Sequence, residues 1–418
     1  MKNANAKKIK YSNIFYIIGI LCIILINVLA WWNRDFCDFY VRNIFPIWGM
    51  TYGRLTSLFP FSIGEIMLYC AVALTIFGVL LVLINAFPKV RKSRWHSFSI
   101  MYGKCYAWTF WCVLWIMTLN CFVLYHTTGF EAKYEPSALA FLTITEELDL
   151  AFNDGITGDV FQTNAIADVE RQMDEEGRII YSYDDLATLR DYIVEKCNRL
   201  AYQMERDENG KIVYTGDIKQ ASVEAMQKMG SVYDQLDGFY VTPKNFACSD
   251  FFSQQYIMGY YFPFSMEANI NDMMYITNVA PATCHELAHT KGFIYEDDAN
   301  MIGYLACINA DDPFVEYCGY LSVLNYVNND FFESIGKSKS KYKKHVRIDP
   351  IVCEDNIFLT DDAWEEVEKK AVVSTRVVNK VSSDFTNATL KLNGVEQGMM
   401  QYNEVVDQLL HYYDGLLY

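Results

Sequence analysis

Hydrophobic and polar positions divide the chain near residue 126. Before it stand three uncharged apolar runs, about Tyr11 to Trp32, Ile66 to Phe87 and Cys105 to Tyr125. Each is close to the ~20 residues that a helix needs to cross bilayer hydrocarbon. None holds a Lys, Arg, Asp or Glu, as expected where a charge at bilayer depth is costly. Tyr11, Trp31, Trp32 and Tyr125 sit at the ends, where amphipathic rings favour the interface. The first run is too long for a removed signal peptide and lacks a small-x-small cleavage site, so it is expected to remain as an anchor.

After residue 126 the period shortens. Leu186, Leu189, Ile193, Cys197, Leu200 and Ala201 recur at three- and four-residue spacing and predict a helix over Asp184 to Met204. Asp217 is placed to cap a second helix reaching about Leu236. The phrases Asp174 to Tyr181 and Asp207 to Tyr214 resemble each other. They lack the bidentate Glu of a calcium loop and predict polar turns with short β character. From Gln255 to Ile276, aromatic and β-branched residues predict a strand or irregular hairpin, continued by the run Met273 to Thr277. Such an edge could hold an extended peptide by backbone pairing. The tail from Asp361 to Tyr418 reads as helical, with a turn at Asn393-Gly394.

Charge gives this pattern a direction. Lys2, Lys7, Lys8 and Lys10 precede the first run, and Lys89, Arg91, Lys92, Arg94 and Lys104 lie between the second and third. The intervening loop has Arg34, Arg42 and Arg54, diluted by Asp35 and Asp38. The positive-inside rule then puts the N-terminus in the cytoplasm and everything after His126 outside. Residues 1–126 are expected to form a membrane domain and residues 127–418 an extracytoplasmic one. A net charge of −16 over 418 residues repels phosphate backbones and argues against nucleic acid as a partner. Twelve cysteines occur without a Cys-x-x-Cys pair; buried small side chains are the expected role, with a disulfide among the last six left open.

One motif carries chemistry: His285-Glu286-Leu287-Ala288-His289. Four residues apart on a helix, the two imidazoles project from one face and can share a zinc ion. Glu286 can reach a water without being a ligand, which suits a general base. The bare motif arises by chance in about one chain in a hundred of this length. Its surroundings therefore matter. Gly292 can end the helix with a positive φ and reverse the chain. Glu296-Asp297-Asp298-Ala299-Asn300 then opens another helix, where Glu296 is the expected third ligand and Asn300 the residue fixing a histidine tautomer. Gly303 and Ala306 would let the two helices approach closely. The competing reading of Glu296 to Asp298 is acidic capping of a helix start. Tyr317, Tyr320 and His345 are candidates for stabilising an oxyanion.

These phrases resemble a bacterial family, domain of unknown function 3810, expected to consist of membrane-anchored zinc peptidases. The resemblance is carried by Pro60-Phe61-Ser62-Ile63-Gly64-Glu65, by Pro263-Phe264-Ser265-Met266-Glu267-Ala268-Asn269, and by His285 through Phe293 with Glu296 to Asn300 and Leu305-Ala306-Cys307. Tyr317-Cys318-Gly319-Tyr320 and Leu390 through Gly394 look like later family elements. Asp298 stands where Glu is expected, and Cys318 where Ser is. The wider likeness is to gluzincins, in which Asp occupies the position of Asn300.

The expected fold is α-rich: three transmembrane helices, then a mainly helical α+β, gluzincin-like zinc hydrolase domain. The expected function is a metallopeptidase with Zn²⁺ as cofactor, the bilayer as one partner and a peptide or protein as substrate. The alternative is a non-catalytic, metal-stabilised sensor or interaction module outside the membrane.

Overall fold

The structure, a computed structural model, describes residues 2–87, 94–138, 172–173, 179–392 and 404–418. Among them, three helical stretches are long and apolar enough to cross a membrane, Tyr11–Trp32, Ile63–Asn85 and Arg94–His126. The first belongs to α1 (Lys2–Trp32). The short amphipathic α2 (Arg34–Asn43) follows it, with the Asn33 side chain accepting from the Phe36 N–H. The second span is α3 (Ile63–Asn85). It starts before the expected Ile66 because the Ser62 hydroxyl accepts from the Glu65 N–H at 3.0 Å. The third combines α4 (Arg94–Met117) with tight and wide turns that carry it to His126. Its helix begins well before Cys105, since helical hydrogen bonding runs on past the end of the apolar window. The spans pack through small residues and aromatics: a Cβ on Gly19 would lie 2.3 Å from the Trp111 ring. By these helices the chain is a multi-pass membrane protein.

The remainder is mainly helical around a small open sheet. Helix α5 (Tyr183–Ala201) begins with a capping box between Ser182 and Asp185. In α6 (Ile218–Gly230), the Asp217 carboxylate accepts from the N–H groups of Lys219 and Gln220; the helix stops short of the expected Leu236, and a separate tight turn covers Asp234–Leu236. Strand β1 (Lys244–Asn245) runs parallel to β3 (Glu267–Ile270), whose other edge pairs antiparallel with β2 (Gly259–Phe262), giving the order β1-β3-β2. Beyond the sheet come α7 (Val279–Thr290), α8 (Glu296–Ile308) and α9 (Pro313–Ser334). The tail holds α10 (Asp361–Lys370), α11 (Thr375–Leu392) and α12 (Glu404–Tyr413).

The two similar polar phrases sit at isolated antiparallel bridges, Met173 with Ile179 and Arg206 with Ile212. The run Met273 to Thr277 is no strand: the Tyr275 N–H bonds to the Phe358 carbonyl, and Ile276–Asn278 turns tightly into α7. Asn393-Gly394 lies outside the described residues. All twelve cysteines are free; Cys197, Cys284, Cys307 and Cys318 are buried as small core side chains.

The two largest apolar cores among the described residues hold these elements together. The larger joins α5, α6, α7, α8, α9 and α12. The smaller joins both membrane and C-terminal elements: Ala30, Cys37, Tyr40, Val41, Phe45, Val123 and Leu124 pack with Tyr261, Met266 and Ile294. Polar contacts reinforce it. Thr128 donates through both its N–H and hydroxyl to Asp38, and the Phe130 N–H donates to the buried Asp298 carboxylate.

Candidate metal centre

Helix α7 carries Leu287 and Ala288 into the large core with no exposed surface, which fixes its rotation. That rotation turns His285, Glu286 and His289 toward the sheet and α8. The helix ends after Thr290, where Gly292 takes φ +94° and its N–H bonds to the His289 carbonyl at 3.0 Å. A Cβ on Gly292 would lie 2.4 Å from the Val41 side chain. The reversal is therefore wedged against the loop between the first two spans. It brings α8 back antiparallel, and Gly303 lets the helices close: its missing Cβ would sit 3.3 Å from the His285 nitrogen.

His285, His289 and Glu296 meet at this junction, each offering a ligand atom within 4.8 Å of the others. The His285 and His289 Nε2 atoms are 3.1 Å apart. Glu296 Oε2 is 3.1 Å from His285 Nε2, and Oε1 is 3.9 Å from His289 Nε2. His289 Nδ1 lies 2.7 Å from the Phe293 carbonyl, and His285 Nδ1 lies 2.9 Å from Asn300 Oδ1. Those acceptors hold a hydrogen on each Nδ1, so both Nε2 atoms point inward with a carboxylate. Two imidazole nitrogens and a carboxylate so placed could share a cation. A tetrahedral zinc with ligands at about 2.0–2.1 Å has ligand–ligand edges of about 3.3–3.4 Å, which these separations approach. The donor set fits a divalent metal.

Protonation reports the same crowding. Burial opposes charge on His285, but the hydrogen bond and charge of Glu296 prevail and raise it to about 9. Burial, then the neighbouring His285, pushes His289 down to about 4. Against burial, the same imidazoles hold Glu296 down to about 2.

Glu286 is a different kind of group. It is 4% exposed, and burial, with Glu296 adding, raises it to about 8 despite His285. It accepts a bond from the Tyr261 backbone, while Oε2 has no partner among the described residues. Gly259 makes room for it: a Cβ there would stand 2.6 Å from the Glu286 Cγ. No spacing in the sequence singles out Tyr260, which follows Gly259 on β2 with 48% of its surface open. Lost hydration on its walled side, then Cys121, Glu286 and Glu296, raise its hydroxyl to about 12. Tyr326 on α9 is raised by burial and then by Glu296.

The three oxyanion candidates are not brought to this cluster. The Tyr317 hydroxyl donates to Asp355 at 2.8 Å, inside the core. Tyr320 packs edge-on against Tyr192 and Tyr304. His345 is held by Asp191 at 2.9 Å and stands beside Tyr183 and Phe331.

The geometry defines a membrane protein with a His/His/Glu cluster capable of holding a metal ion. A family model described as protein of unknown function (DUF3810) matches residues 40–155 and 167–410, and the chain belongs to that family. No curated protein and no solved structure matches it.

Proposed function

We propose that the chain is a membrane-anchored, zinc-dependent hydrolase of gluzincin type that cleaves peptide bonds outside the cytoplasm. The observation that carries this reading is the convergence of His285, His289 and Glu296 beside a buried, partnerless oxygen of Glu286. In this reading residues 1–126 anchor a hydrolytic part spanning 127–418. Zinc held by the three ligands would supply Lewis-acid activation of water and of the scissile carbonyl.

The chain's own groups do the rest. Phe293 and Asn300 hold the imidazoles in one tautomer. Glu286, buried and with Oε2 turned to no protein partner among the described residues, takes a proton from water and passes it to the leaving nitrogen. A C–O bond forms, the C–N bond breaks, and a carboxylate and an amine result. Tyr260, whose hydroxyl keeps its proton at working pH, donates to the carbonyl oxygen as charge develops there.

Purified full-length protein should contain one zinc per chain by elemental analysis, and His289→Ala should contain essentially none. Zinc retained by the variant would refute the ligand assignment. A reporter active only in the cytoplasm, fused after Tyr418, should stay dark; activity there would reverse the topology.

A further inference from the structure

We propose that the substrate is the juxtamembrane stem of another membrane-anchored polypeptide, cut within about five residues of where it leaves the bilayer. This rests on the hydrolase reading above and adds the substrate's location. The height of the cluster above the bilayer selects such a substrate. Strand β2 runs between two fixed points. At Gly259 its backbone lies against Glu286, where an added Cβ would meet the Glu286 Cγ at 2.6 Å. At Phe262 its side chain lies on the first turn of the second span, where a Cβ on Gly64 would meet the ring at 2.5 Å. Three strand steps of about 3.3 Å separate the two, so along the strand the base stands at most about 10 Å above the level where a bilayer-crossing helix starts.

That strand cannot ride up or down. Phe262 is paired with Glu267 on β3, and Glu267 accepts from the Ile63 and Gly64 N–H groups at 3.1 and 2.7 Å. In return Glu65 accepts from the Ala247 and Cys248 N–H groups at 2.8 and 3.0 Å. The opposite side is pinned as well. Tyr295, adjacent to the ligand Glu296, donates its hydroxyl to the Tyr125 carbonyl at the end of the third span, and their rings lie 5.8 Å apart.

Glu65 is the last charged residue before Lys89, so hydrocarbon begins within about a turn of it. Adding that turn of about 5 Å puts the cluster at most about 15 Å above the hydrocarbon. The headgroup layer on one side is itself about 5–8 Å thick. An extended chain covers the distance in about three to five residues. Leu58, Phe59 and Phe61 are exposed on the loop leading to Gly64, as expected of side chains meeting lipid. A folded domain is too bulky to descend to this level. A stem anchored in the same bilayer is already there, and its tether raises its effective concentration.

The test uses the full-length chain in phosphatidylcholine vesicles. A single-span reporter carries a long randomised stem between its anchor and a releasable tag. The same stem library is supplied free in solution, and Glu286→Gln protein serves as control. Cut positions, read by sequencing the released ends, should cluster within about five residues of the anchor. The free library should be cut roughly tenfold more slowly or worse. Cuts spread evenly along the stem, or free stems cut as fast as tethered ones, would overturn the location while leaving the hydrolase intact. No Glu286-dependent cutting of either library by zinc-loaded protein would overturn both.

Discussion

Glu286→Gln protein should keep its zinc and its fold, yet hydrolyse at a rate about 10²–10⁴-fold below that of the parent. Gln preserves the side chain's shape and can still accept from the Tyr261 backbone. It cannot take a proton. Because Oε2 has no partner among the described residues, the substitution breaks no bond that holds the fold. Gly259→Ala should give the same phenotype by a different route. Its Cβ would fall 2.6 Å from Glu286 Cγ and 2.7 Å from Oε1, so the base must move while the histidines keep their own supports. The measurement is a paired one, zinc per chain and initial rate on a peptide library. Unchanged rates in both variants would place the base elsewhere or point to a contaminating protease. Zinc lost along with activity would mean that Glu286 holds the centre together rather than serving it.

What the sequence disclosed of this centre depended on distance along the chain. His285 and His289 are one turn apart, and helix geometry alone puts them side by side. Glu296 required one further inference, a chain reversal, and Gly292 signalled it with the residue type that a φ of +94° favours. Beyond that range the pattern fell silent. Gly259 and Tyr260 reach the site because β2 is pressed against α7, a contact with no trace in local periodicity. Tyrosines could not be ranked by type when the chain has thirty of them. Tyr317 and Tyr326 show why: they share α9, but nine residues make two and a half turns at 3.6 per turn, so they face opposite ways. One engages Asp355 and the other feels Glu296.

The fold shows the same boundary. The three spans and the caps at Asp217 and Ser182 are local events, and the sequence marked the spans and Asp217. The two-residue strand β1 is not, since only its pairing with β3 makes it a strand. The phrases Pro60 to Glu65 and Pro263 to Asn269 stood out separately. Nothing in either said that Glu267 supplies the carboxylate satisfying the turn into α3, or that Glu65 does the same for the turn after β1.

That junction predicts the largest loss of stability. Glu267→Ala should destabilise the folded chain by about 3–5 kcal/mol, the usual consequence of leaving one partner of a buried ion pair alone. Glu267 and Lys244 are 1% and 2% exposed at their side chains and bonded directly to each other. Among the described residues Lys244 has one other acceptor, the Thr56 carbonyl at 2.6 Å, which cannot neutralise its charge. The same substitution uncaps the N–H groups of Ile63 and Gly64, so part of the loss falls on the start of α3. Removing Lys244 as well should recover much of the loss, because the uncompensated charge goes with it. Urea unfolding of detergent-solubilised protein, followed by circular dichroism, measures all four corners of the cycle. Lys244→Met with Glu267→Ala should then be more stable than Glu267→Ala alone, and the coupling between the two positions should exceed that of an exposed pair. If the losses simply add, the pair is not coupled, and capping of α3 alone would account for what Glu267 does.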